Sequence, residues 1–159
     1  MAASPVPLHQ WAARQLANLL NRAAEPDLGA TGDIDIQCGS KILAPDVVVL
    51  PFSLVGGLNR VIDACHVMLV GEVESPSTRS NDRFRKWQLY AKAGIRAYLL
   101  VDLTPLTVTW YGLVEPNRYA IRGYALGVEP LRLTEPFAVD IVPDDLIRRT
   151  APPTGQVGT

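Results

Sequence analysis

Two acidic residues stand in stretches of sequence that are otherwise apolar. Asp46 directly precedes the β-branched run 47–50, and Glu72 lies near the end of the apolar run 67–74. Burying a carboxylate in such a run is costly unless the group is paired or binds a metal ion. If the two runs are neighbouring strands, their acids are suited to Mg²⁺, which takes one or two carboxylates and keeps several waters. Asp46 also follows a proline, and an aspartate there is otherwise an ordinary turn residue.

Three more side chains are candidates for the same site. Glu74 lies two residues beyond Glu72 on the same face of a strand, where it either joins a metal site or marks the solvated end of the strand. Asp82 and Lys86 are spaced i, i+4 in a helical segment, which is typical of an ordinary ion pair on a helix surface. The functional alternative is that Lys86 leans back towards the carboxylates, where its ammonium balances the acids, orients a water and stabilises charge on a phosphate.

The elements that must position these residues form a mixed α/β pattern. Helical spacing of apolar residues predicts helices at 7–23 and at about 81–93, the second ending at Gly94. The predicted strands are 32–37, 47–50, 67–74 and 97–101, then a hairpin of 106–114 with 118–124, short strands at 131–133 and 137–142, and a short final helix beginning at Pro143. The stretch 52–65 is ambiguous between a loop and a short helix. We therefore expect one domain over 1–150, a mixed β-sheet flanked by helices with an added C-terminal hairpin and strand region, and a disordered tail at 151–159.

Length and composition exclude several classes of protein. The chain has 159 residues, of which 48% are hydrophobic and 19% charged, and this balance rules out wholesale disorder. The formal net charge of −1 argues against coating nucleic acid through bulk charge, but not against a local basic patch. No apolar run approaches the roughly 18 residues of a membrane span, and the first residues do not have the pattern of a signal peptide.

The cysteines and histidines predict neither a disulfide nor a zinc site. Cys38 and Cys65 are isolated, so we expect two buried, reduced thiols, which fits a cytoplasmic protein. His9 and His66 lie far apart in the sequence and suggest no His-rich zinc site.

A basic segment overlaps the second predicted helix. Residues 79–96 contain six Lys or Arg and a single acid, so this segment is predicted to contact DNA phosphates. The predicted phosphate contacts are Arg79, Arg83 and Arg85. On the other face of the helix, Phe84, Trp87 and Ala91 are predicted to pack in the core, and base stacking is the alternative for the two aromatic residues.

Several segments together carry a more specific pattern than any one of them. They are Pro45-Asp46, the stretch 70–78 with its Glu-x-x-Ser-Pro-Ser-Thr sequence, Asp82 to Lys86, and 89–95 with its Tyr-Ala-x-Ala-Gly sequence. This pattern resembles the Uma-two family of restriction-endonuclease-like proteins, in the PD-(D/E)XK nuclease superfamily. The resemblance covers most of the chain, from the first helix to Asp145 and Leu146.

The resemblance implies a restriction-endonuclease-like fold and metal-assisted hydrolysis of DNA with Mg²⁺ or Mn²⁺. On it, Asp46 corresponds to the motif aspartate and Glu72 to the acid of the (D/E)XK element. Both would ligate the metal, helped by the carbonyl of Val73. Glu74 occupies the position of the superfamily's usual lysine, and the family's lysine, moved to the next helix, corresponds to Lys86.

The chain departs from the superfamily at its first helix. Many superfamily members supply an acid there, but no acid lies between His9 and Ala24. Two other hypotheses stay open beside the nuclease: a catalytically silent member that binds nucleic acid or a protein partner, and a purely structural domain. A homodimer is expected because a duplex has two strands to cut, and the apolar hairpin around Trp110 and Tyr111 is a candidate interface.

Overall fold

The computed structural model describes residues 7–75, 82–115 and 117–149, without the side chains of Asp82 and Arg83. The helices are α1 (Pro7–Ala23), α2 (Phe52–Val55) and α3 (Asp82–Lys92), with 3₁₀ turns at Ala64–His66 and Pro143–Leu146. The strands are β1 (Leu28–Thr31), β2 (Asp35–Cys38), β3 (Lys41–Leu43), β4 (Val47–Pro51), β5 (Val61–Asp63), β6 (Leu69–Glu74), β7 (Ala97–Leu103), β8 (Leu106–Glu115), β9 (Arg118–Leu126), β10 (Leu131–Leu133) and β11 (Val139–Ile141). The tail expected at 151–159 lies outside the described residues.

A six-stranded mixed sheet organises the molecule and confirms the predicted fold class. Its strand order is β1-β4-β6-β7-β8-β9, in which β6 and β7 run parallel and all other neighbours are antiparallel. The predicted hairpin is β8 with β9, and β10 pairs with β11 in a separate small sheet. A third sheet, β3-β2-β5, completes the strands that the structure describes.

The central strands are buried on both faces, which explains why their sequences are apolar without alternation. Val47 and Val49 of β4 face the core that α1 covers, whereas Val48 and Leu50 face the core that α3 covers. All six residues of β6 are buried. An acid on β6 is therefore held inside the molecule rather than in solvent.

Gly71 lets α1 approach the sheet closely. A Cβ at this position would lie 3.2 Å from a methyl group of Leu16 and 3.4 Å from the Cβ of Val47. The absence of a side chain at Gly71 thus sets the distance between α1 and β6, next to the acid at position 72.

The structure differs from the sequence prediction before β4. β1 was not predicted, because Gly29 indicates a turn in the sequence; in the fold it is a strand residue over which Phe52 and Val55 of α2 pass closely. The strand predicted at 32–37 begins later, at Asp35, after a bend at Asp33 with φ 57°. The ambiguous stretch 52–65 contains α2, β5 and the start of a 3₁₀ turn.

Both cysteines are free, as predicted, but only one is buried. Cys38 lies in the core on the α3 side, and burial raises the pKa of its thiol to about 11. Cys65 is exposed, so the expectation of a second buried thiol is wrong. Among the helices that the structure describes, none is long and apolar enough to cross a membrane.

Candidate active site

Strand pairing brings Asp46 and Glu72 together. β4 and β6 are antiparallel, and their last paired residues at this end are Val47 and Gly71. The next position on each chain is occupied by one of the two acids, so the carboxyl groups face each other across the strands. The two carboxyl groups are close enough that each shifts the pKa of the other.

Asp46 is held from two sides. The backbone N–H of Val73 donates to its Oδ2 at 2.8 Å. The Nε2 of His9, at the start of α1, lies 3.3 Å from the same oxygen. A hydrogen bond with Asp46 is the main cause that raises the pKa of His9, and burial opposes it. Asp46 therefore links the sheet to the first helix.

Glu72 is held by α3. Its side chain is only 10% exposed. The hydroxyl of Tyr90 donates to Oε1 at 2.7 Å, and the Nζ of Lys86 lies 3.8 Å from the same oxygen. Lys86 and Tyr90 are spaced i, i+4, so they reach Glu72 from one face of the helix.

The pKa values of the two acids shift in opposite directions because their surroundings differ. Burial raises the pKa of Glu72 to about 8; the charge of Asp46 acts in the same direction, and Lys86 and Tyr90 oppose it. Burial also acts to raise the pKa of Asp46, but the hydrogen bonds from His9 and Val73 outweigh it and hold that pKa below its usual value. Near neutral pH the proton thus resides on Glu72 and the negative charge on Asp46.

A large groove opens beside this pair along α1. Its volume is about 840 Å³, and it extends from His9 and Asp46 past Arg14 to Asn21, with Asp35 on the opposite wall. Most of the lining side chains are polar. Asp46 is therefore reachable from solvent on the α1 side, whereas Glu72 is buried and does not line the groove.

Comparison with known proteins identifies the family. The Uma2 family, described as "putative restriction endonuclease", matches residues 1–146. The chain belongs to the Uma2 family. This confirms the resemblance inferred from the sequence motifs.

A solved structure has the same fold. It is a crystal structure described as "a putative nuclease belonging to DUF820 from Anabaena variabilis", and it is similar to this Uma2 chain with a TM-score of 0.71. The two chains share 18% sequence identity over 91% of this chain and 83% of the other. At that identity the likeness establishes the fold. No curated protein matches the chain.

The remaining candidate residues of this Uma2 chain differ in where they lie and in whether the structure describes them. Arg85 is exposed on α3. Arg79 lies outside the described residues, as do the side chains of Asp82 and Arg83. Glu74 is only 7% exposed, so the expectation that it marks a solvated strand end is wrong: β6 remains covered along its whole length.

Two members of the cluster, His9 and Tyr90, were not anticipated from the sequence. The buried stripe of α1 comprises His9, Ala12, Leu16 and Leu20, at spacings of three and four. That spacing includes His9 and leaves the apolar Leu8 on the exposed side of the helix. Tyr90 was detectable in the same way, since it lies four residues after Lys86.

Two aromatic predictions are corrected. Phe84 is 66% exposed and stacks on Trp87, although it was predicted to be in the core. The sheet surface that α3 covers is occupied by tyrosine rings. The ring of Phe84, near the start of α3, therefore lies at the edge of the contact between the helix and the sheet. Trp110, predicted as part of a dimer surface, is buried in the core on the α1 side. The exposed large apolar residues of the hairpin lie mainly on β9, at Ile121, Tyr124 and Leu126, with Val114 at the end of β8.

The donor set is compatible with a hard divalent cation. The described residues contain no group of three His, Cys, Asp or Glu side chains arranged to hold a metal ion. Two carboxylates are nevertheless sufficient for Mg²⁺, which completes its shell with water. Asp46 and Glu72 meet that requirement through their oxygen atoms, and neither contains the soft donors that select zinc or copper.

Proposed function

We propose that this Uma2 protein is a metal-dependent DNA endonuclease that hydrolyses phosphodiester bonds. The observation that carries the proposal is the pair of adjoining carboxyl groups, Asp46 and Glu72, with the ammonium of Lys86 3.8 Å from Glu72. Two acids buried side by side destabilise a protein unless they are neutralised, hydrogen-bonded or bound to a cation. Their carboxylate oxygens are the ligands that Mg²⁺ takes. Membership of a family described as "putative restriction endonuclease" supports the same conclusion.

Each residue of the site has a proposed role. Asp46 and Glu72 would hold Mg²⁺ or Mn²⁺, and the carbonyl of Val73 remains a predicted third ligand. Bound there, the metal supplies a water of lowered pKa and neutralises charge on the scissile phosphate. Lys86 would stabilise the negative charge that develops on the phosphate, and the exposed Arg85 would bind a phosphate further along the strand.

Glu74 and Asp82 are additional candidates for the site. Glu74 lies on the same strand face as Glu72, one pleat further along β6. Asp82 precedes Lys86 by one helical turn. Substituting either one tests whether the metal has more ligands than the central pair.

Plasmid cleavage with Mg²⁺ or Mn²⁺ tests the proposal. We expect Glu72→Gln and Lys86→Ala each to reduce the cleavage rate by about 100-fold or more, as loss of one charge-stabilising group does in other enzymes. Matched controls are Glu115→Gln and Lys41→Ala, since both side chains are exposed and lie outside the site. Chelation with EDTA should abolish cleavage by the wild type.

Cleavage that survives both active-site substitutions would contradict the proposal. A wild type that cuts no substrate with either metal would favour the second function, a catalytically silent module that binds nucleic acid or a protein partner. One observation favours that alternative: a buried acid, Glu74, occupies the position where the superfamily usually has its lysine. The cleavage experiment decides between the two functions.

We further propose that the protein is a homodimer and that it is located in the cytoplasm. A homodimer would supply one site for each strand of a duplex, and measuring the mass in solution by light scattering tests it. A cytoplasmic location is supported by the two free cysteines. Fractionation of cells expressing the tagged protein tests the location.

A further inference from the structure

A cleft lined by aromatic rings opens beside α3. Its volume is about 360 Å³, and four of its five lining side chains are aromatic. The lining residues are Phe84, Trp87, Tyr98, Leu100 and Tyr111. The rings of Phe84 and Trp87 stack with centroids 5.9 Å apart and an angle of 23° between their planes. A single exposed phenylalanine is ordinary, but one stacked at the rim of a ring-lined cavity presents a flat apolar face to solvent.

The cleft adjoins the carboxyl pair. Leu100 of β7 is the register partner of Glu72 on the neighbouring parallel strand, about 4.8 Å away, and both side chains lie on the α3 face of the sheet. The ring of Tyr98 packs at 5.9 Å from that of Tyr90, whose hydroxyl binds Glu72. Glu72 and the cleft are therefore neighbours on the α3 face of the sheet, so a base bound in the cleft would lie next to the carboxyl pair.

Charge around the cleft favours nucleic acid over an apolar partner. Arg85 and Lys86 directly follow Phe84 in α3, and Arg85 is exposed. Aromatic rings next to cations are the combination that binds single-stranded nucleic acid, because bases stack on the rings while phosphates pair with the cations. A base inside a duplex has both faces covered by its neighbours, so only an unpaired base can stack in the cleft.

We infer that the cleft binds an unpaired base of DNA next to the phosphate at the carboxyl pair. The inference rests on the proposed nuclease function and deepens it, because it makes DNA with an unpaired segment the substrate class. Phe84 and Trp87 are then specificity-determining residues that select single-stranded or extruded nucleotides. The base is supplied either by a single strand or by extrusion from a duplex.

Binding measured by fluorescence anisotropy in EDTA tests the inference without cleavage. The probes are labelled oligothymidylate, the same strand with abasic sites, a duplex with one bulged base, and a fully paired duplex. We expect Phe84→Ala to weaken oligothymidylate binding by about 5- to 150-fold, the range that loss of one stacked base implies. The abasic strand, which has no base to stack, should bind wild type and variant equally.

Matched variants separate stacking from folding. Phe84→Trp keeps a ring and should retain binding, whereas Phe84→Leu keeps an apolar side chain without a ring and should lose it. Phe52→Ala removes an equally exposed phenylalanine (60% against 66%) at the other end of β4 and should bind normally. Weaker binding of the bulged duplex by Phe84→Ala identifies an extruded base, and a loss confined to oligothymidylate identifies a single strand; either supports the inference.

Three results would overturn it: no binding of oligothymidylate by the wild type, equal losses on the abasic and normal strands, or tightest binding to the fully paired duplex. These outcomes are independent of catalysis. A protein that cuts plasmid but binds oligothymidylate normally after Phe84→Ala would refute the inference and leave the nuclease proposal intact. A protein that binds as expected but never cuts would refute only the nuclease proposal.

Discussion

At the level of single residues, the carboxyl pair is held in two different states by its neighbours. Asp46 accepts from a backbone amide and lies against His9, so its charge is stabilised. Glu72 is buried, and one tyrosine and one lysine do not compensate fully for the loss of water. The sequence was sufficient to identify both acids, since each interrupts an apolar run. It did not reveal their opposite protonation, which depends on His9 and Tyr90, residues that are remote in sequence.

Glu72 should lower the stability of the metal-free protein at high pH. Its pKa rises from an ordinary 4.5 to about 8 on folding, so between these values the folded state binds more protons than the unfolded chain. Stability therefore falls as pH rises from about 4.5 to about 8, and the loss is complete above that range. We predict that Glu72→Gln, in EDTA, raises the melting temperature by several degrees above pH 8, where each kcal/mol is worth about 2–4 °C.

The effect should nearly vanish below about pH 4, where Glu72 is mostly protonated in both the folded and the unfolded wild type. Thermal melts followed by circular dichroism across this range measure it. Glu115→Gln is the control, because that side chain is exposed and should leave the melting temperature unchanged throughout. A stability gain for Glu72→Gln that is the same at low and high pH would show that its cause is not ionisation.

At the level of elements, the site depends on how closely two helices approach one sheet. The buried strands β4 and β6 were predictable, because short continuous runs of β-branched and apolar residues are typical of strands buried on both faces. β1 was not, since Gly29 has the local appearance of a turn and its strand conformation follows from tertiary packing against α2. The exposure of Phe84 was not predictable either. Helical periodicity assigns a side chain to one face of the helix, but it does not show how far the sheet surface opposite that face extends.

Gly71→Ala tests the close approach of α1. The new methyl group would meet Leu16 at 3.2 Å and Val47 at 3.4 Å, so we predict a loss of about 1–3 kcal/mol in the free energy of unfolding, as overpacking usually costs. Urea denaturation measures the change. Gly56→Ala is the matched control, because nothing lies within 4 Å of its added methyl group and its φ is −87°, so it should change stability little. Equal effects of the two substitutions would contradict the packing argument.

At the level of the whole molecule, a net charge of −1 conceals an uneven distribution. The α3 segment is basic, while the groove beside α1 has Asp35 and Asp46 among its lining residues. Basic residues are concentrated in the α3 segment, whereas the other cations are spread among acidic residues over the rest of the chain. DNA binding should be weak and limited to a small number of phosphates.

Salt dependence measures how many phosphates are bound. For a cation that contacts one phosphate of a single strand, its removal reduces the magnitude of the slope of log K against log salt by about 0.7. We predict this change for Arg85→Ala with oligothymidylate as the probe. Arg132→Ala is the control, because that exposed arginine lies on β10 and pairs with Asp140. An unchanged slope for Arg85→Ala would remove Arg85 from the interface.

The site draws its members from widely separated parts of the chain, and this has a consequence for synthesis. His9 is made first, the two acids follow with β4 and β6, and Lys86 and Tyr90 come last with α3. β6 is moreover an inner strand that needs β7 on its far side, so the acids are not fixed until residues beyond 97 have also been made. A growing chain thus contains both acids well before it can position them. The proposed nuclease would therefore have no assembled site until most of its domain has folded.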